Sequence, residues 1–377
     1  MLYKSPARDH DDNALIAGGE TQSTVSEEEA IMIRWGDVYK VVEAMAPLYV
    51  ALGLGYASVR RWRFFTADQC DAVHRLVVYF VVPFFSFRFT AGIDPFALRV
   101  SVLAADALTK LLMAALLAAW HRWGSCSAGW VLTVFSLAQL TNTLVVGAPM
   151  LEAMYGRWAQ DVVVQISVAQ GVVYFPAVLF MLEMIKARPG GGEGKNCEAE
   201  GGGGSEEGNE DGGRCRWSPV LVVLRKLAVN PNVYASVLGL AWSFLAKRWN
   251  LVMPGIIQGS VLVMANAGTG MSMFSLGLFT ALQEKVIMCG LKQATLGMFL
   301  KFIAGPAAGA VGALVLQLRG DLLRVAIIQN ALPQAISSFV YAREYGVHPD
   351  VLCTGVIFGT VMSLPVLVAY YVVLGLL

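Results

Sequence analysis

Charge is scarce in this chain. Only 15% of its 377 residues are Asp, Glu, Lys or Arg, against 56% hydrophobic, and the 28 basic and 27 acidic side chains leave a net charge of +1. So little basic excess gives no field for a nucleic-acid partner. So much apolar surface cannot be hidden in a soluble domain, whose interior is too small a share of its volume. Histidine is rarer still, and His10, His74, His121 and His348 fall in the tail or near the ends of apolar runs. The cysteines (Cys70, Cys126, Cys197, Cys215, Cys289 and Cys353) form no CxxC pair and have no histidine at a zinc-ligand offset. That leaves no disulfide framework or metal site to assign. A GxSxG elbow, an HExxH helix and a Walker loop are missing too. The sequence therefore offers no support for an enzyme and none for a bound cofactor.

What it has in quantity is long apolar runs. Ten are found, at 39–59, 72–91, 98–120, 130–151 and 162–184, then at 233–246, 256–278, 289–316, 322–343 and 351–376. A run of about 20 apolar residues spans a bilayer as a helix, and lipid offers no partner to an open backbone. The expected fold is an all-α polytopic membrane protein with ten transmembrane helices. Between the two sets of five, 186–217 contains PGGGEGKNCEAEGGGGSEEGNEDGGR, a Gly/Glu-rich stretch with almost nothing to bury. This composition reads as a flexible loop. Residues 1–31 are polar, lack a signal-peptide core and read as a disordered extension. The expected organisation is thus 1–31, a first repeat over 32–185, the loop over 186–217 and a second repeat over 218–377. Basic residues such as Arg60, Arg61, Arg63, Arg122, Lys186, Arg225, Lys226 and Arg343 cluster on the loop side. By the positive-inside rule the loop is cytosolic and both termini face the lumen or the exterior.

The halves echo one another. Tyr155-Gly156 answers Tyr345-Gly346, Asp161-Val162 answers Asp350-Val351, and Phe175-Pro176 answers Leu364-Pro365, at an offset of 189 or 190 residues. Leu140-Thr141-Asn142 answers Leu332-Pro333-Gln334 at a slightly larger offset. Five spans is an odd number, so the second copy inserts upside down, the inverted-repeat plan of secondary transporters. Substrate sites in such folds sit where helices break. Span four carries Gly147 and Pro149, span nine carries Pro333, and both helices are expected to be interrupted there. Broken helix ends present amides with positive dipole character, suited to an anion.

Ionisable groups at membrane depth are costly and point to function. Asp106 and Lys110 lie at i, i+4 on one helix face, as a structural ion pair or a mechanistic one. Asn142 at the first break is an uncharged donor for a carboxylate, with Leu144, Val145 and Val146 as apolar wall. Ser86, Gln165, Gln170 and Gln334 are candidates to line the same cavity, each with the alternative of bonding a backbone carbonyl. Phe175 offers a ring face. Arg88 and Lys301 are expected to snorkel to the interface.

The segments GDVYKVVEAMAPLYVALGLGYASVRRW, VPFFSF, LAADALTK, NTLVVGAPMLEAMYG, KLAVNPNVYASVLGLAW, LRGDLLRVAIIQNALPQAI and YGVHPDVLCTGVIFG carry a resemblance. From Met32 to Leu377 the chain resembles the PIN-FORMED auxin efflux carriers of plants, and its short loop resembles the endoplasmic-reticulum members. The resemblance implies an elevator-type carrier of indole-3-acetate, a homodimer in membrane lipid, with no coupling ion. Spans one, two, six and seven would form the scaffold, and helices four and nine would break and cross in the moving domain. It further implies that Asn142 binds the auxin carboxylate, that Ser86 and Gln170 line the pocket, that Asp106 and Lys110 support the moving site, and that Pro333 is the second crossover proline. Three residues depart from the family pattern: Thr141 for a proline, Phe175 for a tyrosine and Asn330 for an alanine. Two other functions remain open, an ion-coupled carrier of a different organic anion and a transport-dead membrane scaffold or sensor.

Overall fold

The computed structural model describes residues 35–124, 126–186, 218–283 and 287–376. The 1–31 extension and residues 187–217 of the loop lie outside the described residues. Among the described residues there are helices and no named strand. In chain order they are α1 (Trp35–Arg60), α2 (Ala67–Leu76), α3 (Val82–Gly92), α4 (Val100–Trp123), α5 (Ala128–Gln139), α6 (Ala148–Tyr155), α7 (Arg157–Ala169) and α8 (Phe175–Lys186). Then come α9 (Ser218–Val229), α10 (Pro231–Trp249), α11 (Gly255–Asn266), α12 (Gly268–Leu282), α13 (Leu291–Phe299), α14 (Gly305–Val315), α15 (Asp321–Ala331), α16 (Ile336–Tyr345) and α17 (Pro349–Leu376).

Each expected span is helical, but not each is a single long apolar rod. Among the described residues seven helical runs are long and apolar enough to cross a membrane: Val38–Arg60, Ala67–Gly92, Val100–Trp123, Arg157–Lys186, Gly255–Leu282, Leu291–Val315 and Pro349–Leu376. Span four divides into the shorter apolar helices Ala128–Gln139 and Thr143–Tyr155. Span nine divides into α15 and α16, and span six is α10, which ends in the basic pair Lys247 and Arg248.

Four prolines are accommodated in one way. A five-residue π turn precedes each: Val77–Val81 before Pro83, Thr143–Gly147 before Pro149, Gln170–Tyr174 before Pro176, and Leu300–Ala304 before Pro306. The residue ahead of each proline reaches back five positions, as in Val82 N–H to Val77 O and Ala148 N–H to Thr143 O. A proline ring clashes with the carbonyl four residues back, and the wider π turn moves that carbonyl aside. The chain therefore stays helical through Gly147 and Pro149, and the expected break there is corrected. It falls instead at 140–142, between α5 and the π turn. The second break falls at 332–335 around Pro333, as expected.

The helices pack as two groups. In one, α1 lies along α12, and α3 lies against α10 and α11. In the other, α4, α5, α6, α7, α8, α13, α14, α15, α16 and α17 surround the two breaks. The groups meet where α1 touches α6 and α17, where α3 touches α7, and where α10 touches the Gln170–Tyr174 turn. Across the loop, Lys226 on α9 binds Glu183 on α8 at 3.2 Å and Glu344 on α16 at 2.7 Å.

Close helix approach needs small residues, since in lipid the gain comes from van der Waals contact. At the α1–α12 crossing, Gly55 and Gly277 face one another. A Cβ on Gly277 would lie 2.8 Å from Tyr56 N and 3.0 Å from Gly55 Cα. Nothing lies within 4 Å of a Cβ on Gly270 in the same helix. Gly277→Ala is therefore expected to cost about 1–3 kcal/mol, read from the melting of the detergent-solubilised protein. Gly270→Ala is expected to be neutral or slightly stabilising. Equal melting of the two variants would refute the close crossing.

Candidate functional site at the helix crossover

The two breaks meet. Residues 140–142 and 332–335 run antiparallel as two short non-helical segments, joined by an isolated bridge at Thr141 and Gln334. Asn142 N–H donates to Pro333 O at 2.8 Å, and Ala335 N–H donates to Leu140 O at 3.2 Å. Each segment thus supplies partners for backbone groups that the other helix has freed. Proline suits the second segment, because its carbonyl is used and its missing N–H is not required.

Thr141 turns its own N–H and C=O to the opposite side. Both are taken by one side chain, Gln170, whose Oε1 accepts from Thr141 N at 3.2 Å and whose Nε2 donates to Thr141 O at 2.7 Å. Gln170 is thereby a third, side-chain rung on the crossover. The Thr141 hydroxyl accepts from Gln329 Nε2 at 3.2 Å. Thr141 thus offers an N–H and a hydroxyl, and both are used.

The other expected site residues are placed as follows. Asn142 is 9% exposed and starts the helical run Thr143–Tyr155, and its Nδ2 has no hydrogen-bond partner. Gln334 is fully buried and donates to Ser136 O at 2.9 Å and Ser338 Oγ at 2.6 Å, while its Oε1 is unpartnered. Phe175 stands edge-on to Tyr341, with ring centroids 5.8 Å apart, and packs with Leu140 and Ala335 of the crossing strands. Val146 is buried and Val145 half-buried, both within the main core cluster. Ser86 is engaged elsewhere: on α3 its Oγ donates to Asn232 Oδ1 of α10 at 2.5 Å. Gln165 accepts from Arg99 N at 3.2 Å, ahead of α4. Asn330 bonds Ala326 O at 2.8 Å, and Gly309 makes room for it, since a Cβ there would lie 2.9 Å from Asn330 Cγ.

Asp106 and Lys110 form a buried ion pair, both about 4% exposed in their side chains. The ammonium also lies over the Tyr174 ring, 4.7 Å from its centroid. Tyr174 closes the π turn that Gln170 opens, which ties the pair to the crossover along one helix. A second link runs through a small cavity lined by Asp106, Thr109, Gly309, Gln329 and Asn330, with room of about 10 Å³, near one water molecule. Gln329 connects that cavity to Thr141.

Of the two cations expected near span ends, one keeps that position and one does not. Arg88 is exposed and bonds Asn266 at 2.5 Å, in keeping with an end-of-span position. Lys301 does not snorkel: it is 1% exposed and its Nζ has no partner. It sits in mid-span, about 15 Å of helix from Leu291, beyond the reach of its side chain to an interface. Gln139 and Gln329 are buried polar residues that the sequence reading did not single out, although they stand 190 residues apart, at the offset of the repeat. Among the described residues no three His, Cys, Asp or Glu groups gather to hold a metal.

Comparison with known proteins bears on this geometry. A family model described as membrane transport protein matches residues 40–371. The chain is 56% identical over 365 residues to the probable auxin efflux carrier component 5b of Oryza sativa subsp. japonica, covering 91% of this chain and 99% of that one. It is 52% identical over 347 residues to auxin efflux carrier component 5 of Arabidopsis thaliana, covering 91% of this chain and 99% of that one. With auxin efflux carrier component 8 of Arabidopsis thaliana the identity is 38% over 369 residues, covering 92% of this chain and 100% of that one. A family model over most of the chain and near-full-length relatives at such identity agree with the all-helical fold and its apolar spans. The chain is an integral membrane transport protein, not an enzyme, and belongs to the plant auxin efflux carriers, the PIN-FORMED family, with the short loop of that family's compact members.

Proposed function

We propose that the chain is a uniporter of the indole-3-acetate anion, working as a homodimer in the endoplasmic-reticulum membrane with its loop in the cytosol. The observation that carries the reading is the unpartnered Nδ2 of Asn142 at the head of a helix, beside the crossover. A helix of this kind leaves its first amides without intrahelical acceptors, so Asn142 and those amides converge as uncharged donors. A carboxylate needs donors for two oxygens, and its indole ring needs an apolar slot. Uncharged donors hold the anion without the tight grip of a fixed ion pair. Val145, Val146 and Phe175 supply apolar wall.

Elevator movement fits the two helix groups, with α1, α3, α10, α11 and α12 as scaffold and the crossover group as the moving body. In the moving body Gln170 holds Thr141, and Pro333 and Gln334 complete the crossing. Ser86 belongs to the scaffold side, where its bond to Asn232 places it at α10, the helix that touches the Gln170–Tyr174 turn. Opening of that seam on movement would admit the ring.

Three outcomes test the reading. Loss of a hydrogen bond to a charged group costs roughly 1.5–3 kcal/mol, or about 10- to 100-fold in affinity. Asn142→Ala is expected to weaken indole-3-acetate binding by that factor in a direct assay while leaving insertion unchanged, and a neutral analogue without the carboxylate should bind both forms equally. Unaltered affinity would remove Asn142 from the site. Asp106→Asn strands the Lys110 ammonium, and breaking a buried pair destabilises by about 3–5 kcal/mol. It should cripple efflux of labelled indole-3-acetate, and adding Lys110→Met should restore folded protein; normal efflux by Asp106→Asn would leave the pair purely structural. For the compartment, a tagged chain at low expression should colocalise with an endoplasmic-reticulum marker, and plasma-membrane signal would contradict the short-loop assignment.

A further inference from the structure

The connection between α1 and α2 joins side chains of opposite character. It reads Arg60-Arg61-Trp62-Arg63-Phe64-Phe65, and Arg60 to Phe64 are all exposed. Arg60 is engaged within the protein: its guanidinium donates to Gln283 O at 2.5 Å, just past the end of α12. Phe65 turns inward and stands edge-on to Phe274, with ring centroids 6.2 Å apart. Between them, the side chains of Arg61 and Arg63 meet no acid and no hydrogen-bond acceptor among the described residues. Trp62 is 47% and Phe64 69% exposed, and their rings stack on each other with centroids 5.7 Å apart. The turn that carries them is well bonded. Trp62 N–H donates to Ala57 O at 2.9 Å, Phe64 N–H donates to Ser58 O at 2.8 Å, and α2 opens with a capping box between Thr66 and Gln69. Arg63 is held at φ 53°, a left-handed conformation that is costly for any residue with a side chain. Two unpaired cations and a stacked pair of rings are thus fixed in place at one end of the α1–α12 pair.

Water solvates the arginines and not the rings, and hydrocarbon does the reverse. The headgroup layer of a membrane meets both needs. A guanidinium matches two phosphate oxygens with parallel N–H donors, and exposed aromatic rings favour the boundary between headgroups and acyl chains. We propose that the α1–α2 turn is a binding site for an anionic phospholipid, with the phosphate held by Arg61 and Arg63 and the first acyl carbons against Trp62 and Phe64. A negative headgroup fits better than a zwitterionic one, because the turn offers no acid to a choline. The next acids along the chain, Asp68 and Asp71, belong to α2. In the orientation proposed above the turn meets the cytosolic leaflet, which carries the anionic lipid. A lipid held here would moor α1 and α12, the scaffold pair, at the membrane surface past which the crossover group moves. The site is separate from the crossover and stands whether or not the transported anion is indole-3-acetate.

The test titrates lipid into the full chain, purified in an uncharged detergent, and follows its thermal melting. Dioctanoyl phosphatidylinositol and dioctanoyl phosphatidylcholine are the probes, so that the two differ in headgroup charge and share their chains. Phosphatidylinositol is expected to raise the melting temperature by several degrees in a saturable way, and phosphatidylcholine to do so weakly. The double variant Arg61→Gln/Arg63→Gln should need roughly 10- to 30-fold more phosphatidylinositol for the same shift. A charge-matched control, Arg248→Gln/Arg319→Gln, removes two exposed arginines elsewhere and should titrate as wild type. Equal shifts with the two lipids in wild type, or an unmoved titration in Arg61→Gln/Arg63→Gln, would overturn the site. An equal shift from inositol phosphate without acyl chains would also overturn it, since the ligand would then be a soluble phosphate and the rings would have no part. The wild-type comparison of the two lipids decides the matter even where a variant fails to fold.

Discussion

Two helices of this protein stop in the membrane interior, and each stop frees backbone N–H and C=O groups that lipid cannot satisfy. Each such group left bare costs several kcal/mol. The antiparallel pairing of 140–142 with 332–335 removes that cost for both helices at once. Neither break can exist without the other, which makes the crossing a property of both halves of the chain. The rest of the second helix group is arranged to hold this pairing: Gln170 on its open edge, Gln329 on the Thr141 hydroxyl and Gln334 back on α5.

The crossing also gathers buried polar groups in one place. Pairing takes up freed backbone groups, and several buried side-chain atoms beside the breaks have no partner: Asn142 Nδ2, the Gln139 amide, Gln329 Oε1 and Gln334 Oε1. A soluble protein would leave such groups to water. Here they are buried within about one helix turn of two helix ends, where partial charges of both signs are already exposed. Under the proposed function, such donors would replace water around a carboxylate without retaining it. The neighbouring Asp106–Lys110 pair and Tyr174 lend rigidity without adding net charge.

The prolines show how far local rules carry. Pro333 marks a real break, and its neighbourhood was readable because a proline among polar amides has little helical support. Pro149 suggested a break by the same rule and does not make one, because a π turn absorbs it, as at Pro83, Pro176 and Pro306. Whether a proline breaks a helix or widens a turn depends on whether another segment stands ready to pair with the freed backbone. The partner of Leu140 is Ala335, nearly two hundred residues away, so the proline rule alone could not have placed the break. Gln170 had two open readings, pocket donor or backbone partner, and Thr141 settles its bonding.

Composition and run length were enough to establish a membrane protein of many helices, because the demand to bury apolar surface and satisfy backbone groups in lipid acts on each segment separately. The i, i+4 spacing was enough to pair Asp106 with Lys110, because both lie on one helix. The repeat offset matched the Leu140–Asn142 segment to Leu332–Gln334 for a similar reason, since duplicated segments keep their order. Tertiary structure alone decided that Lys301 is enclosed and unpartnered, that Ser86 answers Asn232, and that the helix stops at Leu140. Each of these depends on which helix lies alongside, and helix neighbours in a bundle are chosen by packing across the whole fold.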